Sequence, residues 1–194
     1  MGKISNRDKI LTEGLKVVHE RGYMGASVRD IVQAAGVPQG SFTNHFTSKE
    51  AFVLEVLDLY YAESVEIVGR SLDNLDLKPL DRIRAYIREN KQRITREGVR
   101  NGCLYGNLSA EAVDHSESIR LRLAEIFAAA QSAVEDCLKA AVADGSAPPH
   151  LDASQTAAFF VFALQGAILL AKGKRNLVPI DQFEQILFGS VLRA

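Results

Sequence analysis

Residues 27–46 read SVRDIVQAAGVPQGSFTNHF, and this stretch decides the fold. Ser27 followed three residues later by Asp30 is the signature of a capped helix start, and the pattern predicts a short helix through Ala35. Gly36-Val37-Pro38 interrupts it. Pro38 then sits at the first helical position of a second short helix, over about Gln39 to His45. Two short helices joined by Ala34-Ala35-Gly36-Val37 make a helix-turn-helix. In that reading Ala34 and Ala35 are small where the helices cross, Gly36 takes a left-handed conformation, and Val37 plugs the crevice. The second helix is polar outside, with Gln39, Ser41, Thr43, Asn44 and His45, which suits a DNA major groove.

Upstream, Ser5 and Asp8 cap a helix over about Asn6 to Arg21, with an apolar stripe of Ile10, Leu11, Leu15 and Val18 and a stop at Gly22. Downstream, Thr47-Ser48-Lys49-Glu50 reads as a further capping box launching a long helix to about Ser71. Further helices are expected from Pro79 to Arg96, Leu104 to Val113, Ser116 to Asp144, Asp152 to Lys172, and from Pro179 or Ile180 onward. Gly/Asn-rich bends and the linker at 145–150 separate them. Nothing reads as a hairpin. The expected architecture is all-α with about nine helices, a three-helix helix-turn-helix domain over 1–47 and a C-terminal helical bundle over 48–194.

Composition narrows the classes. With 47% hydrophobic and 24% charged residues in 194, the chain is an ordinary globular protein with a sizeable core. Its net charge of -1 is unevenly spread: residues 1–50 carry seven Lys/Arg against five Asp/Glu, the remainder 16 against 19. The N-terminal quarter therefore leans toward a polyanion. Two cysteines do not make a secreted disulfide framework, and MGKISNRDKI has no apolar leader, so a cytoplasmic location is expected. The apolar run from Ala157 to Ala171 falls short of the ~20 residues of a membrane span, and the expectation is a buried or interface helix with no membrane partner.

The stretch from Ser27 to Phe52 resembles the TetR/AcrR family of transcriptional regulators. Ile31, Ala35, Gly36, Val37, Gly40, His45, Phe46, Ser48, Lys49 and Glu50 match its pattern in register, as does the preceding Tyr23-Met-Gly-Ala-Ser27. The resemblance implies a homodimeric repressor on a palindromic operator in double-stranded DNA. Three positions depart: Thr43 stands for a phosphate-reaching Tyr, Val32 for Ala, and Gln39 for Ser or Lys. By chemistry, Lys49, Ser27 and Thr43 are candidates for phosphate contacts, and Arg29 for the DNA backbone. Gln39, Ser41 and Asn44 are candidates for base edges, with Gly40 and His45 on the same segment; for His45 the favoured reading is that it packs the turn with Phe46.

In the C-terminal body, the apolar helix from Ala153 with Phe159, Phe162 and Ile168, and the last helix with Phe183 and Leu187, are the candidate dimer interface. Asn101-Gly102-Cys103-Leu104-Tyr105-Gly106-Asn107 through Glu111 looks like the NemR-like branch of the family. There a cysteine at the matching place reacts with electrophiles or oxidants, and Lys172 falls where that branch has a lysine. Cys103, Tyr105, Asn107, Gln165 and Lys172 are the candidate sensor residues for a small-molecule or electrophile effector. The open alternative is that Cys103 is a small buried hydrophobe, as Cys137 is expected to be. Tyr60, Tyr86 and Phe127 are further candidates for a pocket wall. No triad pairs with Cys103, and Glu111, Asp114 and His115 do not complete a metal set, so no catalytic residue, metal or cofactor is expected. A cysteine-dependent helical enzyme and a helical interaction module without DNA are the rival readings.

Overall fold

The computed structural model describes residues 5–193, and all regular structure within them is helical. The order is α1 Asn6–Gly25, α2 Val28–Ala34, α3 Gly40–His45, α4 Lys49–Arg70, α5 Pro79–Glu97, α6 Leu104–Glu111, α7 Glu117–Ala143, α8 Ala153–Lys174 and α9 Val178–Ile186. A short 3-10 turn, Val99–Asn101, precedes α6, and a π-turn, Leu187–Val191, follows α9.

The caps form largely where the sequence places them. The Ser5 hydroxyl accepts the Asp8 N–H at 3.1 Å, Ser116 accepts that of Ile119 at 3.1 Å, and Asp152 that of Gln155 at 3.0 Å. At α2 the box is complete, since Ser27 accepts from the Asp30 amide while Asp30 accepts from that of Ser27. At α4 it is not: Ser48 caps by accepting the Ala51 N–H at 3.0 Å, and Glu50 instead accepts from the Ser116 hydroxyl. Pro38 lies two residues before α3 rather than at its first position. Gly22 breaks α1 with φ 74° and ψ −179°, but helical geometry resumes to Gly25.

The described residues pack as two compact units. The first takes the chain to Ala62 together with Leu104–Ala124. This grouping is drawn by packing, and it differs from the expected division at 47/48. Its core holds Ile10 and Val18 of α1, Ile31 of α2, Phe42 of α3 and Phe52 of α4, all buried. Phe42, Phe46 and Phe52 stack with ring centroids 5.0–5.4 Å apart, so the short α3 is anchored by two aromatics.

The second unit is Glu63–Cys103 with Glu125–Ala194. Ile83 and Ile87 of α5, Val134 and Leu138 of α7, Phe160, Leu164 and Ile168 of α8, and Ile180 and Phe183 of α9 form one buried cluster. Arg93 is buried beside them, and Ser64, Glu63 and Glu97 bind its guanidinium at 2.8–3.3 Å. α8 buries a single stripe, Ala157, Phe160, Leu164, Ala167, Ile168 and Ala171, and leaves Phe162, Leu169 and Leu170 exposed. At 22 residues it is long and apolar enough to cross a membrane by length and composition alone, a test that the core helix of a soluble protein also passes.

Candidate DNA interface and sensor cysteine

The turn between α2 and α3 holds Gly36 at φ 64°, the left-handed region where glycine avoids a Cβ clash. Val37 is half-buried and its amide returns to the Val32 carbonyl at 3.1 Å. Ala35 is buried, but Ala34 faces outward, so only one of the two alanines serves the crossing.

Gln39, Gly40, Thr43, Asn44 and His45 are all exposed, with Ser41 half-buried beside the buried Phe42. The outer face of α3 is thus continuously polar. His45 points out and it is Phe46 that packs the turn, so His45 belongs with the exposed set. The Thr43 hydroxyl donates to the Gly40 carbonyl at 3.1 Å, which spends its proton inside its own helix. The Ser27 hydroxyl likewise gives its proton to Asp30. Either would have to release that bond before donating to a phosphate. Asp30 is held below the usual carboxylate range by the Ser27 hydroxyl and amide and by Arg21, 2.8 Å away. Arg29 is exposed on the same helix.

Lys49 is half-buried, with its ammonium 4.8 Å from the centroid of the Tyr23 ring. Burial pushes its pKa down, and the Glu111 carboxylate opposes that shift. Tyr23 in turn is pushed up by burial and by the Glu50 charge. Lys49 is therefore a held cation. Sequence reasoning missed Tyr23 and Glu111 here, because only tertiary packing brings them to it.

In the second unit Cys103 is half-buried immediately before α6, and the Gln165 amide lies 3.8 Å from its Sγ. The aliphatic stem of Lys172 lies where a side chain on Gly102 would sit, its Cδ 3.0 Å from an ideal Cβ. Tyr86 belongs to the same neighbourhood: burial raises its phenol pKa, Asn90 lowers it, and a negative charge on Cys103 raises it further. Cys103, Gln165 and Lys172 thus share one unit. Tyr105 and Asn107 belong to the other, where the Tyr105 ring is 4.9 Å from that of Tyr60 and the Asn107 amide donates to the His19 carbonyl at 3.5 Å. Cys137 is buried, its thiol 3.1 Å from the Pro79 carbonyl, and burial pushes its pKa up to about 11.

Of the expected interface residues, Phe162 is 64% exposed and Phe159 half-buried. Ile168, Phe183 and Leu187 are buried within their own chain. Leu169 and Leu170 on α8 and Val178 and Ile186 on α9 are further exposed apolar residues of these two helices. An open groove of about 410 Å³ along α5, lined by Arg88, Lys91, Gln92, Thr95, Arg96 and Leu177, shares no residue with the expected sensor set.

Residues 10–56 match the bacterial regulatory proteins of the tetR family, and residues 79–187 match the tetracyclin repressor-like C-terminal domain. The transcriptional repressor DhaR of Mycobacterium sp. (strain GP1) is 35% identical over 192 residues, 99% of this chain and 95% of that protein. The crystal structure of a regulatory protein TetR from Rhodobacter sphaeroides shares 29% identity with a TM-score of 0.88, covering 93% of this chain and 95% of that one. Reduced NemR from Escherichia coli shares 27% with a TM-score of 0.85, covering 95% of each chain. Family and relatives alike are regulators, which removes the enzyme reading. With its helix-turn-helix and its C-terminal domain both matched, the chain belongs to the TetR family of bacterial transcriptional regulators.

Proposed function

We propose that this repressor reads a palindromic operator through α3 as a homodimer in the cytoplasm, and that a small molecule or a reaction at Cys103 releases it. The observation that carries the reading is the outer face of α3: five exposed residues with donor, acceptor or no side chain, held from behind by Phe42 and Phe46. Gln39 and Asn44 can each pair bidentately with adenine, and Ser41 adds a hydroxyl. Lys49, Ser27, Thr43 and Arg29 flank them as phosphate and backbone contacts, with Lys49 the one ammonium at the start of α4. Two such helices on a dimer meet half-sites about one DNA turn apart, roughly 34–36 Å.

The dimer face is assigned to Phe159, Phe162, Leu169 and Leu170 of α8 with Ile186 of α9, an apolar surface that a solvated monomer would not retain. The release step is a population shift: the effector binds one conformation better and moves the equilibrium toward it. Cys103 is half-exposed and polar-flanked by Gln165, unlike the buried Cys137, so it is the thiol that an electrophile reaches. Lys172 and Tyr86 complete that setting.

The test is selection of bound duplexes from genomic fragments with the full-length protein, repeated with an electrophile such as N-ethylmaleimide and with Cys103→Ser. Specific binding lost on alkylation in the wild type but not in Cys103→Ser supports the whole reading. Specific binding untouched by alkylation leaves a repressor with a reversible effector, and no specific binding overturns the operator reading itself.

A further inference from the structure

Gly22 takes φ 74° and ψ −179°, a conformation that side-chain-bearing residues rarely adopt. The space beside its Cα is occupied by another side chain: an ideal Cβ on Gly22 would lie 2.6 Å from the carboxyl carbon of Glu111. One oxygen of that carboxylate also accepts the Met24 N–H at 3.5 Å. Glu111 is the last residue of α6, 87 positions from Met24, and it is half-buried. The charge of the same carboxylate also favours the Lys49 ammonium, which lies 4.8 Å from the centroid of the Tyr23 ring, between Gly22 and Met24 in sequence. One carboxylate thus touches both ends of a three-residue turn and attracts the cation that stacks on its middle residue.

We propose that Glu111 is a positioning residue for DNA binding: it pins the Gly22–Met24 turn and thereby fixes Lys49 on Tyr23, at the point from which Lys49 meets a phosphate. A lysine side chain has four rotatable bonds, and a free one loses that freedom on binding. With its ammonium lying over the Tyr23 ring, Lys49 enters binding with part of that freedom already lost. The carboxylate does not touch DNA in this role; it acts through the turn and through Lys49. The inference rests on the reading of Lys49 as a phosphate contact, and the test separates the two.

The experiment is a double-mutant cycle in the full-length dimer, by fluorescence anisotropy on a duplex that the wild type selects from a random library, at several salt concentrations. Lys49→Ala is expected to weaken binding about tenfold and to lower the salt slope by about two, one phosphate per subunit. Glu111→Ala should weaken binding by a similar factor with the same fall in slope, and in the Lys49→Ala background it should cost little more. A purely structural role gives independent losses that multiply, and multiplication overturns the proposal, as does a Glu111→Ala protein that binds like the wild type. Should Glu111→Ala fail to fold, Glu111→Gln keeps an acceptor for Met24 while removing the charge, and its own cycle with Lys49→Ala decides by the same criterion. If Lys49→Ala alone changes nothing, the phosphate contact is wrong and the proposal falls with it. If Lys49→Ala weakens binding and Glu111 multiplies the loss, only the role of Glu111 is wrong.

Discussion

Phe162 stands edge-on to Phe159 with ring centroids 5.5 Å apart, and it leaves 64% of its surface outside its own protomer. One residue of the pair is anchored and the other is free, as expected of an aromatic knob awaiting a partner. Phe162→Asp should therefore split the dimer while the protomer keeps its helix content. Sedimentation equilibrium is expected to show the dissociation constant rising at least about thirtyfold, the ~2 kcal/mol of an interface hot spot. An unchanged dimer would remove this face from consideration. Ile168→Asp, by contrast, places a charge in the protomer core and should unfold the protein.

The two thiols should differ sharply toward alkylating reagents. At pH 8, iodoacetamide followed by peptide mass spectrometry is expected to label Cys103 and spare Cys137 until the protein is unfolded. Cys137 also bears on alkaline stability. Its folded pKa of about 11 lies above the ordinary 9.0, so its contribution is complete below pH 9 and is lost as pH rises toward 11. Cys137→Ala should flatten the fall in stability over that window, and an unchanged profile would count against the burial argument.

Ser27→Ala removes the hydroxyl that caps α2 and half of its box. Urea unfolding followed by circular dichroism is expected to show a loss of about 1 kcal/mol. The Asp30 carboxylate, whose folded pKa is depressed, stabilises above its unfolded value near 3.8 and loses that contribution as pH falls through the folded value. The acid limb of the stability curve should thus shrink in Ser27→Ala. A variant as stable as the parent, with the same acid limb, would show the cap to be idle.

Asn44→Ala should change which sequences are bound. Selection with this variant is expected to relax one position per half-site, with ~1–3 kcal/mol less discrimination there. A uniform loss on operator and random duplex alike would move Asn44 to the phosphate contacts.

Local chemistry was readable in the sequence wherever a motif closes within a few residues. Ser5, Ser27, Ser116 and Asp152 cap where their spacing says they should, because a cap is satisfied by an amide three positions on. The turn at Gly36 was legible for the same reason. What sequence did not reveal depends on distant partners. Glu50 has a capping-box position but bonds Ser116, a choice settled by packing. α8 is apolar on nearly every side, so periodicity could not tell the stripe facing its own core, with Ile168, from the face carrying Leu169 and Leu170. Tyr105 and Asn107 stand close in sequence to Cys103, yet Tyr105 meets the ring of Tyr60 and Asn107 donates to the His19 carbonyl, which chain proximity does not report.

Gly22 and Glu111 carry a consequence for descent. A chain that gains any side chain at 22 collides with the carboxylate at 111, and a chain that shortens 111 leaves the Met24 amide without its acceptor. Neither step is neutral alone, so each position constrains what the other can become. Shortening residue 111 would not open position 22 to drift either, because a φ of 74° strains any side chain whatever the space beside it.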